Sequence, residues 1–167
     1  MIDRDQLRAR QAPLKERYRD EPGSALVTLR AEGALGQDVT CRVETGRALV
    51  EAGLHPATGG SGLSACSGDM LLQALVACAG VTLSAVATSM GIALRGASLV
   101  AEGDLDFRGT LGVSREAPVG FREIRLRITL DTDAGDAERT KLLELTERYC
   151  VVYQTLARPP ALHLVPA

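Results

Sequence analysis

Between Met70 and Leu94 there is no Asp, Glu, Lys or Arg, although 24% of the chain is charged. The stretch from Ser67 to Gly91, SGDMLLQALVACAGVTLSAVATSMG, is rich in Leu, Ala, Met and Gln, all good helix formers. Ser67 and Asp69 stand where a helix start takes a cap and a negative first turn, and Gly91 stands where a helix ends. A helix apolar on nearly every face must be buried on nearly every face. The spacing therefore predicts a long buried central helix with the rest of the chain arranged around it. Cys78 lies near its middle, on one face with Leu71, Leu75, Thr82 and Ala85.

Length alone would also suit a membrane span. Gln73, Thr82, Ser84, Thr88 and Ser89 interrupt the run, however, and amphipathic segments flank it, so it reads as a core helix with no membrane partner. At 167 residues the chain reads as one domain, 1–167, with a charged helical arm over 1–22 and a core over 23–167. Aromatic residues make up 3% with no Trp, which excludes a stacking platform for single strands, and a net charge of −2 leaves no basic footprint for nucleic acid. The opening MIDRDQLRARQAPLKERYRDEP lacks the apolar core of a signal peptide, which predicts a cytoplasmic protein. In that compartment the four cysteines, Cys41, Cys66, Cys78 and Cys150, stay reduced apart from any transient bridge.

In chain order, residues 3–19 read as a short polar helix, broken or kinked at Pro13, with Leu7, Leu14 and Tyr18 as sparse apolar positions. This arm is too polar for core and suits packing on a partner subunit. Three β-like runs follow, Ser24–Ala31, Gln37–Val43 and Arg47–Ala52, with EGALGQ and ETG as hairpin loops. Residues 53–66 form a Gly-rich connector. Its paired Gly59 and Gly60 match no phosphate-binding pattern. A strand is expected over Ala93–Gly109, then a loop. FREIRLRITLD at 121–131 alternates cleanly, Ile124, Leu126, Ile128 and Leu130 against Arg125, Arg127 and Thr129. An amphipathic helix over 136–149, with Leu142, Leu145 and Tyr149 inward, leads to Cys150, and a final strand is expected at Ala161–Val165. The order β-β-β-α-β-β-α-β predicts an α+β fold, antiparallel sheet with helices packed on it.

The inventory of reactive groups is short. His55 and His163 are the only histidines, and no Cys/His spacing suits zinc. GGSGL at 59–63 misses the register of a hydrolase elbow, and no carboxylate pair stands out among 21 acids. Cysteines remain. Cys41 and Cys66 read as small buried hydrophobes. Cys78 is distinguished by its surroundings.

DMLLQALVACAGVTLSAVATSMGIAL resembles the central helix of the OsmC/Ohr family, the osmotically inducible and organic hydroperoxide resistance proteins, which reads P-E-x-L-L-x-A-x-x-A-C-x-x-x-T/A-L. The family's second mark, a Cys-Pro-x-Ser-like segment after the last long helix, is matched by Cys150 in Tyr149–Leu156. EGDLDFRGTLG, PVGF at 118–121 and the order of elements extend the resemblance over about residues 25–165. It implies an OsmC-like fold, antiparallel sheets around the central helix, as an intertwined homodimer with active sites at the subunit interface. The implied activity is thiol-dependent reduction of hydroperoxides, with no metal or organic cofactor. Cys78 would be the peroxidatic residue and Cys150 the resolving one, forming a transient disulfide that a dithiol reductant reopens. Leu71, Leu75 and Val81 would line an apolar approach suited to organic peroxides.

Cys78 lies too far along its helix for the dipole to acidify it, and apolar burial raises a thiol pKa. A thiolate there calls for a cation. By resemblance it is an arginine from an early strand, Arg47 in first place and Arg42 in second, held by an acidic residue near the helix start. Asp69 is the acidic candidate there. Nine residues from Cys78, roughly 13–14 Å along the helix and on its opposite side, Asp69 would act from another subunit or by anchoring a long arginine. Val151 and Tyr153 replace the Pro and Ser of the second mark. These departures sustain an alternative: an OsmC-fold dimer that binds a small apolar ligand or thiol adduct without peroxidase turnover.

Overall fold

The computed structural model describes residues 4–35, 41–43, 52–63 and 65–166. Its elements run α1 (Arg4–Asp20), β1 (Leu26–Leu35), β2 (Cys41–Val43), β3 (Ala52–Gly53), β4 (Ala65–Cys66), α2 (Ser67–Met90), β5 (Gly96–Asp106), α3 (Phe107–Thr110), β6 (Phe121–Asp131), α4 (Asp136–Tyr149) and α5 (Val151–Ala157). Short 3-10 turns occupy Pro22–Ala25 and Pro56–Thr58. The architecture is α+β, as the alternation of patterns predicts. Four strands form one sheet in the order β2-β1-β5-β6, and β3 pairs with β4 in parallel. β1 and β2 are antiparallel, with Gly33 opposite Val43 and Leu35 opposite Cys41.

The chain groups into two compact units, and α2, β1, β5 and β6 each contribute to both. The first unit holds residues 1–31, 44–73 and 100–127. In it Tyr18, Ala25, Leu72, Leu105 and Phe107 are buried. α1 joins this core through Tyr18, whose hydroxyl donates to the Ala57 carbonyl at 2.6 Å, while Gln11 donates to the Thr58 carbonyl at 3.2 Å. The polar composition thus hides one deeply anchored residue. Nor does Pro13 interrupt the helix: Pro13 and Ala9 are both exposed, so the carbonyl that loses its partner faces solvent. On β5 the side chains alternate, Ala101, Gly103 and Leu105 inward, Glu102 and Asp104 outward. Gly103 is required there, because a Cβ would meet the Phe121 ring at 2.5 Å. On the outer face Asp104 accepts from Arg125 at 2.6 Å and from the Thr28 hydroxyl at 2.6 Å, and Glu102 pairs with Arg127.

The second unit holds residues 32–43, 74–99 and 128–167. Its buried side chains include Leu75, Val76, Ala79, Leu83, Leu99, Leu142 and Cys150. α2 stops where expected. Gly91 takes φ 69°, its N–H bonds the Thr88 carbonyl at 3.1 Å, and the N–H of Ile92 bonds that of Ala87 at 2.9 Å, a Schellman ending. β6 matches the alternating run residue for residue, and α4 matches the amphipathic one.

Several expectations fail. EGAL continues β1 rather than turning. The expected loop of 53–66 contains a 3-10 turn capped by His55, whose Nδ1 accepts from the Ala57 N–H at 3.0 Å, and the β4 pairing. β5 ends at Asp106, which caps α3 by accepting from the Arg108 N–H. Tyr149 is 57% exposed under the Arg148 guanidinium. Residues 161–165 form no strand; Leu162, Leu164 and Val165 are exposed, and the structure after Cys150 is instead α5. The Arg47–Ala52 run lies outside the described residues except for Ala52. Most consequentially, α2 is not covered all round by its own chain. Leu72, Leu75, Val76, Ala79, Leu83 and Ala87 form its buried face, whereas Met70, Leu71, Ala74, Val81 and Ala85 are exposed.

Candidate active site

Cys78 lies in the fourth turn of α2, in line with Leu71, Ala74, Val81 and Ala85 on the outward stripe. Its thiol is nevertheless half-buried, because the junction of α4 and α5 covers it. Cys150 is that junction. Its backbone, φ −71° and ψ 108°, is extended, which ends one helix and starts the next. The Cys150 N–H closes α4 on the Thr146 carbonyl at 2.9 Å, and its carbonyl opens α5 by accepting from the Gln154 N–H at 2.9 Å. Gln154 also donates through Nε2 to the Glu147 carbonyl at 2.9 Å, and the Tyr153 hydroxyl engages the Glu147 carboxylate. Two helices are thereby held at a fixed angle around one buried cysteine.

The opening turn of any helix leaves N–H groups without helical partners. In α5 these face sulfur. The Tyr153 N–H donates to the Cys150 Sγ at 3.5 Å, and the N–H groups of Val151 and Val152 donate to Cys78. Burial pushes the Cys78 thiol up, but the Val152 N–H, the Cys150 thiol, the Val151 N–H and the Thr82 hydroxyl together outweigh it, leaving Cys78 below the ordinary thiol range. Cys150 moves the opposite way. Burial is the largest cause, opposed by the Tyr153 N–H and reinforced by the hydrogen bond and charge of Cys78, and its thiol is pushed up to about 11. Neighbouring sulfurs with opposed shifts suit a thiolate that receives a hydrogen bond from a thiol.

The remaining site residues named from sequence fall as follows. Arg47 lies outside the described residues; Arg42 is in β2, opposite Ala34. Asp69 is in the first turn of α2, half-buried, its pKa raised by burial and partly restored by the His55 charge. Leu71 and Val81 are 37% and 40% exposed on the stripe that carries Cys78, whereas Leu75 is 1% exposed and belongs to the packed face. Reasoning from α2 alone called for a cation beside Cys78. Among the described residues the donors that lower its pKa are neutral, and two of the four, the Val151 and Val152 N–H groups, come from a helix that was not anticipated. Cys150 itself was the available signal, since a cysteine at a helix N-cap brings the next N–H groups to sulfur.

The family profile of OsmC-like proteins matches residues 59–165, more than half of the chain. Among solved structures, the fold is similar to an OsmC-like hydroperoxide resistance protein from Jannaschia sp. CCS1, with a TM-score of 0.60 at 15% identity over 86% of this chain and 95% of that one. It is also similar to an OsmC-like protein from Mycoplasma pneumoniae, with a TM-score of 0.56 at 16% identity over 80% of this chain and 86% of that one. At these identities the likeness is one of fold. A comparison with curated protein sequences returned no match. The profile match over residues 59–165 shows that the chain belongs to the OsmC-like protein family.

Proposed function

We propose that the protein is a thiol-dependent peroxidase that reduces organic hydroperoxides. The observation that carries this reading is the contact of two free cysteines with opposed acidities, Cys78 low and Cys150 high. The Cys78 thiolate attacks one oxygen of the peroxide; an S–O bond forms, the O–O bond breaks, and the departing alkoxide takes a proton to leave as an alcohol. Cys78, oxidised by two electrons, becomes a sulfenic acid. Cys150 sulfur then attacks it, the S–S bond forms, and the Cys150 proton leaves with the hydroxyl as water. A dithiol reductant returns both sulfurs to thiols by exchange. The apolar stripe with Leu71 and Val81 favours an organic peroxide over hydrogen peroxide, and a second subunit packed on the exposed part of α2 makes the working form a homodimer.

Mass spectrometry after one equivalent of tert-butyl hydroperoxide tests the cycle. A Cys78–Cys150 disulfide is expected in the parent and a sulfenic acid at Cys78 in Cys150→Ser. Free thiol at Cys78 after peroxide treatment would overturn the peroxidase reading and leave ligand binding by the OsmC-like fold as the better account.

A further inference from the structure

α2 carries a hydroxyl for which the proposed cycle has no role yet. Thr82 follows Cys78 by four residues, so the two side chains are stacked neighbours on the helix surface. A helical side chain leans toward the N-terminus, which directs that of Thr82 at the turn bearing Cys78. Branching at Cβ leaves the hydroxyl few rotamers. Thr88, Thr146 and Thr155 donate to the carbonyl four residues back, at 2.9, 2.8 and 2.8 Å, a bond internal to the helix. The Thr82 hydroxyl reaches the Cys78 sulfur. The other donors to that sulfur, Val151, Val152 and the Cys150 thiol, all belong to the α4–α5 junction. Thr82 is the donor from Cys78's own helix and keeps its place whatever the junction does.

We propose that Thr82 is a catalytic residue, its hydroxyl donating a hydrogen bond to the Cys78 thiolate from within α2. This assignment rests on the reading of Cys78 as the reactive thiol. No charged group is required of it: a hydroxyl donor at a half-buried sulfur favours the anion by hydrogen bonding alone.

The test is the pH profile of alkylation at Cys78 by iodoacetamide, resolved by mass spectrometry, in the full chain and in Thr82→Val and Thr82→Ser. Val preserves the shape of Thr and removes the donor; Ser restores the donor without the methyl group. The expected result is a Cys78 alkylation rate at pH 6 about tenfold lower in Thr82→Val, with the profile moved to higher pH, and a rate near the parent's in Thr82→Ser. A Thr82→Val profile superimposed on the parent's would overturn the assignment, as would a Ser variant as impaired as the Val variant. Peroxide oxidation is scored separately on the parent. If Cys78 and its variants alkylate as expected while hydroperoxide leaves Cys78 untouched, the peroxidase reading fails and the role of Thr82 in holding the thiolate stands.

Discussion

Replacing Cys78 by Ser should change the acidity of Cys150, and the structure sets the size of the effect. With its thiol pushed up to about 11, Cys150 in the parent is ionised at pH 7 in roughly one molecule in ten thousand. An ordinary cysteine with a pKa near 8.5 is about 3% ionised at that pH, so Cys150 should alkylate on the order of 300-fold more slowly than free cysteine. Burial is the largest cause and survives the substitution; the hydrogen bond and charge of Cys78 do not. In Cys78→Ser the Cys150 midpoint is therefore expected below about 11 and above the ordinary value, with a matching rise in its alkylation rate at pH 7. Site-resolved alkylation from pH 6 to 11 reads both quantities. A Cys150 midpoint that stays at about 11 in Cys78→Ser would mean that the sulfurs do not sense one another. A parent midpoint near 8.5 would refute the buried, protonated Cys150 on which water formation in the second step depends.

The rest of the fold offers independent checks. Leu75→Ala, at a position 1% exposed, should cost about 3 kcal/mol in urea unfolding, whereas Leu71→Ala, 37% exposed on the stripe, should cost the isolated subunit under about 1 kcal/mol. Gly91→Ala puts a Cβ at φ 69° and should cost about 1 kcal/mol; an unchanged midpoint would argue against the left-handed helix ending. Asp104 is held at about 2 first by the hydrogen bonds from Arg125, then by that from Thr28. Because its folded pKa lies below the unfolded one, its stabilisation is complete above about pH 4 and lost as pH falls toward 2. Thermal melts from pH 5 to 2 should lose less in Arg125→Met than in the parent.

Where one element explains itself, sequence sufficed. α2 has an acid in its first turn, no charge after it and its stop at Gly91, and β6 has a two-residue period over 11 residues. Errors arose where the deciding partner is distant in sequence. Tyr18 is core because Ala57 accepts its hydroxyl, a relation no periodicity of α1 contains. The helix after Cys150 was missed for a nearer reason: the Cys150 cap and the Gln154 staple onto α4 set Val151–Ala157 as α5. The site repeats this pattern. Both cysteines were legible by resemblance, and Thr82 was visible as a neighbour of Cys78 by spacing. The acidity of Cys78 was not, because three of its four donors, the Val151 and Val152 N–H groups and the Cys150 thiol, converge on it only once the α4–α5 junction is folded against α2 within the second unit.

The outward placement of Cys78 connects chemistry with assembly. On the face of Leu75, Val76 and Leu83 the thiol would be sealed inside the unit; on the stripe of Leu71 and Val81 it is open to a substrate, at the expense of apolar surface left uncovered by its own chain. A second subunit would cover such a surface, and Val81, three residues from Cys78 and 40% exposed, tests that expectation. If a partner subunit packs there, Val81→Lys buries an unpaired charge, which costs about 3–5 kcal/mol and weakens association by at least a hundredfold. Sedimentation at micromolar concentration should show a dimer for the parent and a monomer for Val81→Lys, with circular dichroism showing the fold retained in both. A parent that sediments as a monomer, or a Val81→Lys variant that remains as tightly dimeric as the parent, would refute coverage of the stripe by a second subunit. Cys78 would then be reached from open solvent across α2.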